Sequence, residues 1–165
     1  MREEMEKVME FHTKHRFNDS ILLPMFRSNG VYLGRNALLG RIANSIAMLG
    51  KVELSNLALE AQKSGDERLY RAYLLIEELS EVIEALASND LVTLADGLGD
   101  LLYVLLGTAI TYRIPLKEVF QEIHDSNMTK RTRDPIHDPR MRDKGPNYKR
   151  PDIHRILKEM SNVDS

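Results

Sequence analysis

Through most of the first 127 positions apolar residues recur every three or four residues, the spacing of amphipathic helices. Met5, Val8, Met9 and His12 lie on or near one face of a helix running from residue 1 to about 16. Residues 17–34 interrupt the pattern with Asn18-Asp19, Pro24, Asn29-Gly30 and Gly34, and read as a loop. Residues 35–64 present Leu38, Ile42, Ile46 and Leu49, then Leu54, Leu57 and Leu59, and Gly50 between the two sets predicts a break. Ser64-Gly65-Asp66 stops that stretch and caps the next. In residues 66–86, Leu75, Leu79, Val82, Ile83 and Leu86 fall in a stripe about 100° wide, the width of a core-facing side. Ser88-Asn89-Asp90 makes a short turn, and Asn89 or Asp90 is a natural N-cap for the helix that follows.

That next helix, residues 91–112, is apolar almost all round and is expected at the centre of a bundle. Gly97, Gly99 and Gly107 within it each cost roughly 1 kcal/mol relative to Ala, which predicts close backbone approach to a neighbour. Ile114-Pro115 opens a last core helix through about residue 124 or 127. Beyond it, a stretch rich in Arg, Lys and Pro reads as an extended arm, with a short helix over 152–160. No strand-like alternation of useful length occurs. The expected fold is all-α and one domain over 1–165, with a helical core over about 1–127 and a C-terminal arm over about 128–165.

Composition narrows the chemistry. The 165 residues are 42 % apolar and 29 % charged, as in an ordinary globular chain, with a net charge of −2. Cysteine is absent, which removes disulfides, thiolate catalysis and iron–sulfur clusters and fits a reducing compartment. The opening MREEMEKVMEFH has no signal-like apolar core, and the longest uncharged run, 101–112, is shorter than the roughly 20 residues of a membrane span. A cytoplasmic protein without a membrane partner is expected. The charge is unevenly spread: residues 126–158 hold ten Lys and Arg against four Asp, so this segment is +6 and the rest of the chain −8. Acidic groups upstream and basic groups downstream suit a site holding cations with a polyanion, although a solvated basic tail has the same signature.

Two groups of carboxylates stand out. Glu77, Glu78 and Glu81 share one edge of their helix, with Glu84 a turn further, and Glu78 and Glu81 border the apolar stripe, where partial burial is expected. Asp96 and Asp100 are i,i+4 on the apolar helix, in its single strip of polar or small residues with Tyr103, Gly107 and Thr111. Two unpaired aspartates in a buried helix are costly. If they face Glu78 and Glu81 across the turn, four oxygen ligands converge in a set suited to Mg²⁺ or Mn²⁺. The glutamates alone also read as a plain exposed acidic face. A di-iron bundle needs Glu-x-x-His pairs, and this chain has none; Asp134-x-x-His137 contains Pro135. His124-Asp125 and His137-Asp138 hint at a His/Asp phosphohydrolase, but only His12, His15 and His154 remain as further ligands, with no helical pairing.

The ordered set Glu77-Glu78-Leu79-Ser80-Glu81, Asp96-Gly-Leu-Gly-Asp100-Leu-Leu-Tyr-Val and Ser126-Asn127-Met128-Thr129-Lys130 resembles the all-α nucleoside triphosphate pyrophosphohydrolases. That superfamily includes MazG, the dimeric dUTPases and phosphoribosyl-ATP pyrophosphohydrolase. Lys144-Gly145-Pro146-Asn147-Tyr148, with Pro151-Asp152, is similar to the tail of its phosphoribosyl-ATP-pyrophosphohydrolase-like branch. The resemblance implies a MazG-like helical bundle and magnesium-dependent attack of water on the α-phosphorus of a nucleotide, giving a monophosphate and pyrophosphate. By position it implies Glu78, Glu81 and Asp100 as metal ligands, with Asp96, one residue before Gly97, either supplying a fourth or leaving a metal less fully bound, and Glu77 as a further ligand or the base that orients water, making Glu77 and Glu81 the catalytic carboxylates. It assigns phosphate contacts to Asn127, Lys130 and Arg131, and closure over the nucleotide to Lys144, Asn147 and Tyr148. It also points to a homodimer or dimer of dimers. One position departs: the family's second element is usually Glu-x-x-Asp, and Gly97 stands where the Glu would be. A non-catalytic helical dimer binding a nucleotide or nucleic acid through the basic arm is the alternative.

Overall fold

The protein is described by a computed structural model covering residues 1–15, 37–49, 53–134 and 138–161. Seven helices and one two-stranded hairpin occur among them, so the all-α expectation holds. The loop expected at 17–34, the break at Gly50 and His137 lie outside the described residues. The chain divides into two compact units, Gly30–Tyr112 and Met1–Asn29 with Arg113–Ser165.

The first unit contains α2 (Ala37–Leu49), α3 (Ser55–Ser64), α4 (Glu67–Ser88) and α5 (Leu91–Thr111). Gly65 ends α3 in the left-handed region at φ 65°, a conformation free of strain only for glycine. Asp66 then caps α4 by accepting from the Arg68 backbone N–H. At the far end Asn89 takes φ 58°, and Asp90 caps α5 by accepting from the Val92 and Thr93 N–H groups. Both caps are as the sequence predicts. α4 is the hub, packing against α2, α3 and α5. Its contact with α5 is close: a Cβ on Gly97 would lie 3.2 Å from Val82 Cγ2 and 3.5 Å from the Val82 backbone nitrogen. The approach predicted from the glycines is thus real at Gly97. At Gly107 the neighbour is the Arg71 guanidinium, and at Gly99 nothing lies within 4 Å.

α5 does not occupy the centre of a bundle. It meets α4 through buried Gly97 and Val104, while Val92 and Tyr103 are each 80 % exposed and Ile110 is 78 % exposed. An all-round apolar helix needs neighbours on every side, and among the described residues α4 is the helix it packs against. By length and composition α5 passes as a membrane span, which the count of uncharged residues did not anticipate.

The second unit contains α1 (Arg2–Lys14), α6 (Leu116–Met128), the strands β1 (Arg131–Asp134) and β2 (Asp138–Asp143), and α7 (Ile153–Ser161). α6 packs against both α1 and α7. The stripe predicted on α1 is largely uncovered, with Met5, Val8 and Met9 exposed. Part of the expected extended arm is an antiparallel hairpin pairing Arg131 with Asp143 and Thr132 with Arg142. Arg131 and Asp143 pair as opposite charges across it, and neither strand alternates apolar with polar residues in sequence, so hydrophobic alternation could not reveal them.

Candidate functional site

The two-residue turn between α4 and α5, Asn89 and Asp90, makes the two helices antiparallel, and the Gly97–Val82 contact sets their register. Glu78, one turn before Val82, and Asp100, nearly one turn after Gly97, therefore come to the same level of the pair. Partial burial raises the Glu78 carboxyl above its ordinary pKa, and repulsion from Glu81, Asp100, Glu77 and Asp96 raises it further. Five carboxylates from two helices thus act on one another. Glu77 accepts a hydrogen bond from the Tyr73 hydroxyl at 2.8 Å. Glu78, Glu81, Asp96 and Asp100 have no hydrogen-bonding or ion-pair partner among the described residues.

Burial differs from expectation. Glu77 and Glu78 are half-buried, but Glu81, Asp96 and Asp100 are exposed, because the α5 surface that carries the aspartates is itself uncovered. Among the described residues no three Asp, Glu or His side chains stand close enough to hold a metal ion. The donors nevertheless fit Mg²⁺ in kind: all are carboxylate oxygens, none is committed to a cation, and exposed side chains can rotate without repacking. Gly97, at the position where the family usually has Glu, is the helix contact itself, so a side chain there meets Val82.

Beside this group, a cavity of about 370 Å³ lies between α3 and α4, lined by Ala58, Ala61 and Gln62 on one side and Glu67, Tyr70 and Tyr73 on the other. Tyr73 belongs to both features, lining the cavity with its ring and reaching Glu77 with its hydroxyl. Sequence reasoning missed both; the i,i+4 spacing of Tyr73 and Glu77 is the signal that was available. It also missed Arg71, whose Nε donates to Glu67 Oε1 at 2.6 Å and whose guanidinium rests at Gly107.

In the second unit the tail is pinned to the end of α6. The Ser126 hydroxyl donates to the Lys149 carbonyl at 2.7 Å, and the Lys149 N–H donates to Thr129 Oγ1 at 2.9 Å. These bonds bring Lys144, Asn147 and Tyr148 to the region of Asn127 and Lys130. The Lys144 ammonium stands 5.2 Å from the centre of the Tyr148 ring, a cation–π contact. Arg131 is differently placed: its guanidinium is held by both Asp143 oxygens at 2.7 and 3.1 Å, and its stem lies where a Cβ on Gly145 would be. It is committed to the hairpin, which makes it the weakest of the expected phosphate contacts. His15, by contrast, is deeply buried against Phe11, its Nε2 has no hydrogen-bond partner, and the Arg142 guanidinium donates to its carbonyl at 2.6 Å.

Residues 55–127, from the first residue of α3 almost to the end of α6, match the family model of phosphoribosyl-ATP pyrophosphohydrolase. Comparison with curated proteins and with solved structures finds no match. The matched segment holds both carboxylate helices and ends at Asn127, and over it the chain is similar to a family of the MazG-like nucleoside triphosphate pyrophosphohydrolase superfamily, hydrolases acting on pyrophosphate bonds.

Proposed function

We propose that the protein is a Mg²⁺-dependent nucleotide pyrophosphohydrolase, cleaving the α–β phosphate bond of a nucleoside triphosphate or related nucleotide to a monophosphate and pyrophosphate. One observation carries the reading: within the matched segment, carboxylates from α4 and α5 press on Glu78, and among the described residues none of the five has a counter-charge. Such a set is unfavourable empty and favourable around a divalent cation. Glu78, Glu81, Asp96 and Asp100 are the residues to hold it, with Mn²⁺ as an acceptable substitute. A cation bound there would supply charge neutralisation and would make a nearby water more acidic. Glu77, aimed by Tyr73, needs to be only a modest base to orient that water, with Glu81 beside it. A water attack needs no protein nucleophile, in keeping with the absence of cysteine. The cavity between α3 and α4 is the proposed entry for the nucleoside, since Tyr73 joins it to Glu77. Asn127, Lys130, Lys144, Asn147 and Tyr148 are assigned to the phosphates and the base, with Arg131 in a lesser role. The partners proposed are the nucleotide and further copies of the chain, in a homodimer or dimer of dimers, and the compartment is the cytoplasm.

The test is a nucleotide panel with Mg²⁺ or Mn²⁺ that resolves pyrophosphate from orthophosphate. Pyrophosphate release that is abolished by EDTA supports the reading, whereas orthophosphate as the primary product overturns it. The exposure of Glu81, Asp96 and Asp100 favours a second reading, a binding module without catalysis. Calorimetry separates the two: such a module binds a triphosphate equally in EDTA, and the enzyme does not.

A further inference from the structure

Lys144, Asn147 and Tyr148 sit in a short loop that is tied down on both sides. Before it, Asp143 holds the Arg131 guanidinium, and the Arg131 stem packs where a Cβ on Gly145 would lie. Within it, the Tyr148 N–H donates to the Gly145 carbonyl at 2.9 Å and closes a turn. After it, the Lys149 backbone is bonded to Ser126 and Thr129.

From Lys149 the chain enters α7 through Arg150, Pro151 and Asp152. A single side chain of α6 meets it there. Glu122 accepts the Asp152 N–H on Oε1 at 2.9 Å and the Arg155 guanidinium on Oε2 at 3.2 Å. Its two oxygens therefore hold both the chain entering α7 and the first turn of α7 itself. The Asp152 carboxylate in turn accepts the Arg155 N–H at 3.0 Å, as an N-cap does. One residue on, Ile156 is buried, and α7 packs on α6. Glu122, Ser126 and Thr129, spaced by four and three residues, form one polar stripe at the end of α6, and each member bonds the tail.

We infer that Glu122 is a positioning residue: it latches α7 to α6 and so holds the loop over Lys144 to Tyr148 in one arrangement before any ligand arrives. Of its two bonds the one to Asp152 matters more. Arg155 is half exposed and shared with Glu159, so solvent and the second carboxylate weaken its hold on Glu122, whose own side chain is 24 % exposed. A loop ordered in advance loses less freedom on meeting a ligand than a free one. Affinity falls in proportion to the fraction of molecules in which the loop is in place, whereas a ligand once bound finds the same side chains in the same positions. The latch therefore governs binding and leaves the chemical step alone. What the loop binds rests on the proposed function; the latch itself does not.

The experiment compares full-length wild type with Glu122→Ala, Glu122→Gln and Arg155→Ala by two measurements. The first is amide hydrogen exchange without metal or nucleotide. In Glu122→Ala the Asp152 and Lys149 amides should both exchange about tenfold or more faster, the scale of a lost hydrogen bond to a charged group. The Lys149 N–H keeps its own acceptor on Thr129, so its release reports the loop and not the missing carboxylate. Faster exchange confined to Asp152 and α7 overturns the latch. The second measurement is pyrophosphate release. KM for nucleotide should rise about tenfold in Glu122→Ala while kcat stays within about twofold. Glu122→Gln keeps an acceptor for the Asp152 N–H and should recover most of the loss, and Arg155→Ala should fall between wild type and Glu122→Ala. A KM that does not move, or a kcat that falls in step with it, overturns the positioning role. If Glu122→Ala loses helical circular dichroism, Glu122→Gln decides on the same two readouts, and no change in either overturns the inference. A wild-type chain that hydrolyses no nucleotide sinks the proposed function, and hydrogen exchange then still decides the latch.

Discussion

The acidic helix pair and the basic tail region are both dense in charge, yet they use it in opposite ways. In the tail, several cations are matched to groups nearby. Arg131 takes both oxygens of Asp143, Arg155 reaches Glu122 and Glu159, and Arg142 donates to the His15 carbonyl. On α4 and α5, Glu78, Glu81, Asp96 and Asp100 have only one another among the described residues. Charges with partners hold a local shape, whereas like charges kept together without a counter-ion oppose folding, and the proposed cation is what would offset them. The contrast explains why net charge alone said little about this protein, while the location of unmatched charge said a great deal.

The contrast breaks most visibly in activity. Asp100→Asn and Glu81→Gln should each lower pyrophosphate release by about two orders of magnitude or more, the several kcal/mol that charge stabilisation by a cation contributes. The cation-free proteins should meanwhile be unchanged or slightly more stable, because removing one of several like charges at helical spacing relieves a few tenths of a kcal/mol. Turnover and thermal unfolding measured side by side in EDTA and Mg²⁺ test both halves. A variant that loses stability in EDTA together with activity would show that these carboxylates are structural after all.

A second prediction concerns the position that departs from the family. Gly97→Glu restores the usual Glu-x-x-Asp spacing, but its Cβ arrives 3.2 Å from Val82 Cγ2 at the tightest point between α4 and α5. Overpacking of this kind costs about 1–3 kcal/mol. The variant should unfold at lower denaturant concentration without gaining activity, and Gly97→Glu with Val82→Ala should recover part of the loss. An active, fully stable Gly97→Glu would mean that the helices separate easily and that the vacancy at 97 is not imposed by packing.

The caps, the helix order and the carboxylate sets were legible in the sequence because each depends on short-range rules. Asp66, Asn89 and Asp90 do at helix ends what those residues do generally, and Glu78–Glu81 or Asp96–Asp100 share a face by helical geometry alone. Placement was less legible. Hydrophobicity says that α5 seeks apolar neighbours without saying whether they come from its own chain, so its position at a bundle centre was inferred and Tyr103 and Ile110 proved exposed. The β1–β2 hairpin has no apolar alternation to betray it, and Tyr73 gave no sign of the cavity it lines, since cavities are made by the packing of α3 on α4.

The tail region offers a titration of its own. Burial, with Arg142 and Lys14 nearby, holds the His15 imidazole neutral, lowering its pKa from the usual 6.5 to about 4. The unfolded chain takes up a proton below 6.5 while the folded one does not until about 4, so stability is full above 6.5 and falls as pH drops between those values. The loss is at most about 3 kcal/mol. Denaturant unfolding at pH 7 and pH 5 should show it, and His15→Gln should flatten the difference. A wild-type chain equally stable at both would place His15 in contact with water.

The smallest effect tests the matched side of the contrast. Arg131 and Asp143 are joined by two hydrogen bonds across the hairpin, but the Arg131 side chain is well exposed, so solvent screens the pair and its net contribution lies at the weak end of the range for ion pairs. Arg131→Ala and Asp143→Asn should each cost correspondingly little, and the double variant should cost less than their sum, because each single change already removes the shared interaction. If Arg131 serves the hairpin before it serves a phosphate, the KM for nucleotide should move far less in Arg131→Ala than in Lys130→Ala, whose ammonium has no partner among the described residues. Equal effects on KM would mean that Asp143 releases Arg131 when a nucleotide arrives, and that a matched charge in this tail is held in readiness for the ligand.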